Sequence, residues 1–493
     1  MGNSILNLKP SAVWKHFYAL TQIPRPTGHM TEITGYIEKF GKQLGLETLR
    51  DAANNICIRK PATPGYENKP TIILQSHLDM VPQNNKGIKN GKGDHFDFTR
   101  DPIQAQIDGE WVKATGTTLG ADNGIGVATT MAILEATDLQ HGALEGLFTI
   151  DEEVGMVGAY AVRPTLVKGK IMLNLDSETD GEIYIGCAGG ADVTARFQYQ
   201  EETWIPKEDV AVKISLTGMK GGHSGVDIHL GRGNANKLFF RFLKEAAKSC
   251  QIRLSSFSGG SARNAIPREA FAVVVVDGKQ KYEQLQQAVA AYESLLNEEF
   301  AGIENPIHFT AEKISAASLT LIPQDVQNRL IDAVNACVNN VINYFGETHE
   351  IVETSTNLAI IESVKGLTEI KFLVRSASET KKEAVCSSIE STFHLANADF
   401  VETSGSYPGW QPDYNSKVLS VMKQVYEAQR GAQPEVKVMH AGLECGIILS
   451  SVPGLDTVSF GPTIQYPHSP DEQVNIASVQ KFWDYLTAIL KNI

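Results

Sequence analysis

The spacing of apolar positions changes along the chain and marks out its parts. Ile33, Tyr36, Ile37, Phe40 and Leu44 recur at helical spacing, which predicts a helix over about 30–44. A second helix from residue 11 precedes it, with a break at Pro24-Arg25-Pro26-Thr27-Gly28, and Gly45 follows as a C-cap. Short, mostly apolar segments at 71–76, 146–150 and 170–175 have the length of buried strands, and 54–59 reads as another. Asp108-Gly109 sits between alternating segments of a hairpin over 104–113. The glycine-rich stretch from Leu119 to Gly126 feeds a helix to about 137. Strands alternating with helices imply an α/β fold with a mostly parallel central sheet.

From about residue 190 the period shortens to two. Alternating strands are expected at 192–199, 211–217, 271–276, 353–361 and 367–375, with helices at 233–248, 280–298, 322–343 and 379–395. The last hundred residues return to the first texture, with a helix at 414–430, strands at 435–439 and 457–460, and a helix at 477–490. The expected organisation is a split α/β domain, 1–188 and 391–493, around an inserted α+β domain at 189–390.

Bulk properties narrow the function classes. A chain of 493 residues exceeds one ordinary core. A net charge of −13 leaves no electrostatic footprint for nucleic acid or an anionic membrane. No run reaches the ~18 apolar residues of a transmembrane helix, and residues 1–10 lack the basic and apolar regions of a signal peptide. Six scattered cysteines without a Cys-x-x-Cys pair disfavour a disulfide framework or a thiolate zinc site, so a cytoplasmic location is expected.

The candidate chemistry lies at strand ends. His77 and Asp79 close the 71–76 strand, Glu152 and Glu153 follow 146–150, and Asp176 follows 170–175. Ligands of open α/β sheets bind outside the carboxyl ends of the strands. Asp122 in the glycine-rich loop and His468 in a late loop could join them. Two histidines and several carboxylates, without cysteine, suit a pair of divalent ions such as zinc, cobalt or manganese. Each residue also has a plainer reading. Asp122 could cap a helix, Glu152-Glu153 could be a solvated strand end, Asp176 could begin a turn, and His468 could be an ordinary loop histidine.

His77-Leu78-Asp79, Gly120-Ala121-Asp122-Asn123-Gly124, Asp151-Glu152-Glu153-Val154-Gly155, Leu175-Asp176-Ser177-Glu178 and His468-Ser469-Pro470-Asp471-Glu472 resemble, in order, the motifs of the M20 family of co-catalytic metallopeptidases. Gly221-Gly222-His223-Ser224-Gly225 and Asn264-Ala265-Ile266-Pro267 resemble motifs of its inserted domain. The resemblance implies a two-domain di-metal peptidase in which 189–390 is a lid and dimerisation domain. It implies hydrolysis of dipeptides, including Xaa-His types such as β-alanyl-histidine. His77 and Asp176 would hold one metal, most simply zinc, Glu153 and His468 the other, and Asp122 both. Asp79 would orient His77, and Glu152 would be the general base and acid acting on a metal-bridging water. The resemblance also implies a cis peptide at Asp122-Asn123. In a homodimer His223 would reach the partner's site and stabilise the oxyanion. Arg375 would pair the substrate carboxylate, Asn264 would contact its backbone, and Glu444 would receive a free amine. The other readings are an aminoacylase- or tripeptidase-like amidohydrolase of the same family, or a non-catalytic dimeric binding protein.

Overall fold

The computed structural model describes residues 4–205, 208–315, 319–346 and 350–493. The expectation about a leader therefore falls partly on residues 1–3, outside the described set. The chain divides into two compact units, one of residues 1–187, 410–438 and 443–493, the other of 188–409 and 439–442.

The first unit is built on an eight-stranded sheet. Its order is Glu47–Arg50, Ile56–Lys60, Leu144–Thr149, Ile72–His77, Ile171–Asn174, Asp456–Ser459, Glu182–Cys187 and Glu435–Met439. The central four strands are mutually parallel. Every residue of Ile72–His77, Leu144–Thr149 and Ile171–Asn174 is buried, as expected of parallel strands covered on both faces. The helix Ala121–Glu135 is apolar nearly all round and accordingly buried. One apolar cluster gathers Trp14, Phe17, Ile33, Ile125 and Phe148, and another gathers Leu74, Leu173, Val458, Met422, Phe482 and Leu486. His77 is in register with Thr149, and Gln75 with Asn174. The loops that follow these three strands therefore start from one edge of the sheet.

The second unit is an antiparallel sheet with helices. The order is His308–Lys313, Val210–Thr217, Ala270–Val276, Arg253–Gly259, Ile351–Val364, Leu367–Ser376, Gly189–Gln198 and Phe400–Tyr407, with Asn340–Phe345 paired to Ile351–Val364. Helices Ala235–Ser249, Gly278–Glu299, Gln324–Ala336 and Glu379–Leu395 pack with it around buried Phe239, Phe257, Phe309, Phe372 and Phe393.

Two expectations need correction. The helix placed at 322–343 ends at Ala336, and Asn340–Phe345 is a strand. Asn340 takes a φ of 82°, which no right-handed helix continues through, and Val341, Ile342, Tyr344 and Phe345 favour a strand. The return to the first unit comes at Trp410 rather than 391. Phe400–Tyr407 is the cause, because it pairs with Gly189–Gln198 as an edge strand. Residues 402–406 of that strand are exposed and polar or glycine, so they carry no apolar alternation to read.

Candidate metal centre

The parallel strands deliver the acidic and histidine side chains to one place. His77 is the last residue of its strand and 1% exposed. Its Nε2 lies 3.0 Å from Asp122 Oδ1 and 3.4 Å from Asp176 Oδ1. His468 Nε2 lies 3.1 Å from Asp122 Oδ2 and 3.0 Å from Glu153 Oε2. The two oxygens of Asp122 thus face different histidines.

Among the described residues, three overlapping groups could each hold an ion: His77 with Asp122 and Asp176, Asp122 with Glu153 and His468, and His77 with Glu152 and Glu153. The first two share only Asp122. Glu153 Oε1 and Asp176 Oδ1 are buried without a hydrogen-bond partner, a costly arrangement unless a cation completes them. The donor set of imidazole and carboxylate fits divalent zinc, cobalt or manganese.

Asp79 is fully buried, with Oδ1 3.4 Å from His77 Nδ1. It also accepts the backbone N–H groups of Glu152 at 3.0 Å and Glu153 at 3.2 Å, and the Thr27 hydroxyl at 3.0 Å. One carboxylate therefore sets both the imidazole and the turn that carries the paired glutamates. That turn needs Asp151 in the left-handed region, φ 49°, where its side chain accepts the Gly28 N–H at 2.7 Å.

Asp122 is not a helix cap. Its backbone is extended, with φ −76° and ψ 112°, its two oxygens face histidines, and the Asp122-Asn123 peptide is cis, as the resemblance implied. The turn is held from two sides. Glu472, 2% exposed, accepts the N–H groups of Leu119, Gly120, Ala121 and Asp122 at 2.7–3.1 Å. Arg25, also 2% exposed, donates to the carbonyls of Leu78, Asp79 and Gly120. Gly120 has a φ of 69°, and a Cβ there would stand 2.5 Å from Arg25 Nη2, so only glycine fits. Sequence reading passed over both residues. Arg25 looked like part of a proline break, and Glu472 was the unassigned end of its motif. A charged residue flanked by two prolines was the available signal for Arg25.

The electrostatics follow from burial and crowding. Burial opposes charge on His77, but Asp176, Asp122 and Asp79 hold its pKa well above the usual value. Hydrogen bonds with Asp122 and Glu153 push His468 up to about 11. Burial raises Glu152 well above the usual carboxylate range and Asp176 to about 6.

The remaining candidates in the second unit are His223, Asn264 and Arg375. His223 lies in the two-residue strand Gly222–His223, paired with Ala265–Ile266. Its Nδ1 accepts the N–H groups of Gly225 and Val226, both at 3.1 Å, so the ring proton of the neutral form sits on Nε2. Burial lowers its pKa, with Arg375 adding to the effect. Asn264 is exposed, and its carbonyl accepts Ser224 N–H at 2.8 Å. Arg375 is 5% exposed. Its Nη1 donates to Tyr407 Oη at 3.2 Å and its Nε has no partner. Glu444, in the first unit, is 0% exposed, and its Oε2 is held by Gln75 and Thr149. It does not open to solvent as an amine receptor would.

The profile of peptidase family M20/M25/M40 matches residues 73–492. The chain is 43% identical over 491 residues to the cytosol non-specific dipeptidase of Escherichia coli, covering all of this chain and 99% of that one. Its structure matches the crystal structure of an aminoacylhistidine dipeptidase from Vibrio alginolyticus with a TM-score of 0.91 and 44% identity, over 100% and 98% of the two chains. An aminopeptidase from Bacillus cereus, 18% identical with a TM-score of 0.55 over 98% of this chain and 99% of that one, shares the fold.

Proposed function

The chain belongs to peptidase family M20/M25/M40, and on that premise we propose that it is a cytoplasmic, di-metal dipeptidase acting on Xaa-His and other dipeptides. The observation that carries the reading is Asp122, with one oxygen 3.0 Å from His77 and the other 3.1 Å from His468. The names of the relatives from Escherichia coli and Vibrio alginolyticus supply the substrate class.

His77 and Asp176 would hold one ion, Glu153 and His468 the other, and Asp122 both. Zinc is the first choice, with cobalt or manganese as substitutes. Two such ions lower the pKa of bound water toward neutrality and polarise a carbonyl. Asp79 holds the His77 ring and the Glu152-Glu153 turn. Glu152, buried beside the ligands, takes the proton of the attacking water and returns it to the leaving amine. His223 offers Nε2–H to the oxygen on which charge develops. In a homodimer formed through the inserted unit, the partner subunit's His223 serves this role. Arg375 takes the substrate carboxylate through a planar fork, and Asn264 contacts the substrate backbone. Fixing the carboxylate at Arg375 while the scissile carbonyl lies at the ions would leave room for one residue after the scissile bond.

The test is a panel of dipeptides, tripeptides and N-acyl amino acids assayed with zinc, cobalt and manganese. Turnover confined to dipeptides with a free amine is expected. Equal turnover of tripeptides or a preference for N-acyl amino acids would refute the dipeptidase reading.

A further inference from the structure

A chain of buried polar side chains crosses the sheet beneath the metal ligands. Gln75, Asn174 and Ser459 are register partners on three adjacent parallel strands. All three are 0% exposed, in positions that parallel strands ordinarily fill with aliphatic residues. Gln75 Nε2 donates to Glu444 Oε2 at 2.6 Å, and Thr149 Oγ donates to the same oxygen at 2.7 Å. Asn174 Nδ2 donates to Gln75 Oε1 at 2.5 Å, and Ser459 Oγ to Asn174 Oδ1 at 2.5 Å. Ser177 Oγ lies 2.7 Å from Ser459 Oγ.

With Glu444 ionised, the order of donors has one solution. A carboxylate accepts, so the Gln75 amide nitrogen faces Glu444 and its oxygen faces Asn174. Asn174 is then oriented the same way, Ser459 spends its proton on Asn174, and Ser177 donates to Ser459. Every donor points toward Glu444. Such a one-way chain polarises each bond in turn and ends best on a negative charge. Its two ends meet the metal ligands: Gln75 stands two residues before His77, and Ser177 directly follows Asp176. Thr149, the other residue tied to Glu444, is in register with His77.

Glu444 Oε1 has no partner and no access to solvent. Burial pushes this carboxyl up to about 7, against the pull of His77 and Thr149. A buried, half-satisfied carboxylate is costly where packing alone is at stake, because an apolar side chain would serve better. Divalent ions held by the neighbouring ligands would offset that cost.

We propose that Glu444 is a positioning residue of the metal centre: through the relay Ser177, Ser459, Asn174 and Gln75 it holds the strand end of His77 and the loop of Asp176 in ligating register, and its charge favours divalent ions there. This rests on the two-metal reading above. It replaces the amine-binding task expected of Glu444 from the sequence.

The test is calorimetric titration of the metal-stripped full-length chain with Co2+. Glu444→Gln keeps the shape and the acceptor but removes the charge. Its melting temperature should match or exceed that of the parent, while its Co2+ affinity falls about 10- to 100-fold, the usual effect of losing a group that supports a ligand. Gln75→Glu sets two carboxylates against each other and should weaken binding further. The double variant Gln75→Glu/Glu444→Gln exchanges the partners and should regain most of the lost affinity. Parent-like affinity in Glu444→Gln, or no recovery in the double variant, would overturn the relay. Failure of the parent itself to bind two equivalents of Co2+ would instead overturn the two-metal reading and the relay with it.

Discussion

Glu472 accepts the backbone N–H of Asp122 at 3.1 Å across 350 residues of sequence, together with the three N–H groups before it. A carboxylate with four amide donors fixes the turn that aims both oxygens of Asp122. In Glu472→Gln the side-chain amide presents two donors of its own to amides that need acceptors. The variant should lose about 2–4 kcal/mol of stability, from buried donors left unpaired. It should also bind Co2+ more weakly than the parent. Chemical denaturation of the stripped chain and a Co2+ titration measure the two effects, and a parent-like midpoint would show that the turn holds itself.

Glu152 can be separated from the ligands that surround it. Glu152→Gln is expected to retain two equivalents of bound metal while kcat falls about 10²- to 10⁴-fold, the range for loss of a positioned acid–base group. Metal analysis beside steady-state kinetics checks it. Loss of one equivalent would place Glu152 among the ligands, as its grouping with His77 and Glu153 allows.

His223 is held as a donor by two backbone amides on Nδ1. His223→Ala should lower kcat about 10²- to 10³-fold, the scale for one oxyanion donor, with metal content unchanged. Mixing it with Glu152→Gln gives a sharper result. If His223 serves the partner subunit's centre, a mixed dimer regains one complete site, so activity should return on mixing. No recovery after verified subunit exchange would assign His223 to its own chain.

Histidine ligands, as proposed, would couple metal uptake to protons. In the stripped chain His468 is raised from 6.5 to about 11 by Asp122 and Glu153. Its contribution to stability is therefore complete below about pH 6.5 and is lost as pH climbs toward 11. An ion must displace that proton, so affinity should rise with pH over the same window and uptake should release protons. Calorimetry in buffers of different ionisation enthalpy counts them. The melting temperature of the stripped chain should fall between pH 7 and 10, and that of the loaded chain should not follow it. Binding without proton release would contradict the assignment of His468 as a ligand.

Arg375 is buried, its Nη1 bonded to the Tyr407 hydroxyl and its Nε without a hydrogen-bond partner. Arg375→Lys keeps the charge but removes the fork, and it should raise KM for dipeptides while sparing kcat more. Dipeptide amides should be poor substrates of the parent and lose little further in the variant. Equal use of amides and free acids by the parent would exclude a carboxylate site at Arg375.

What the sequence by itself determined is local or periodic. Apolar runs placed Ile72–His77, Leu144–Thr149 and Ile171–Asn174, and the residues just past their ends were readable as site candidates because parallel strands bring carboxyl ends to one edge. The family motifs assigned them roles. The exposed edge strand Phe400–Tyr407 escaped notice, since pairing with Gly189–Gln198 depends on backbone groups and leaves no hydrophobic signature. Arg25 and Glu472 escaped for a related reason. Their task is to satisfy backbone groups far along the chain, and nothing in their own neighbourhood announces it. Glu444 shows the limit most clearly. The family resemblance suggested contact with substrate, whereas burial and the one-way chain from Ser177 to Gln75 direct its carboxylate into the sheet. Ligand types follow from composition at strand ends. Which way each side chain faces, and what holds it there, was decided only when strands distant in sequence came into register.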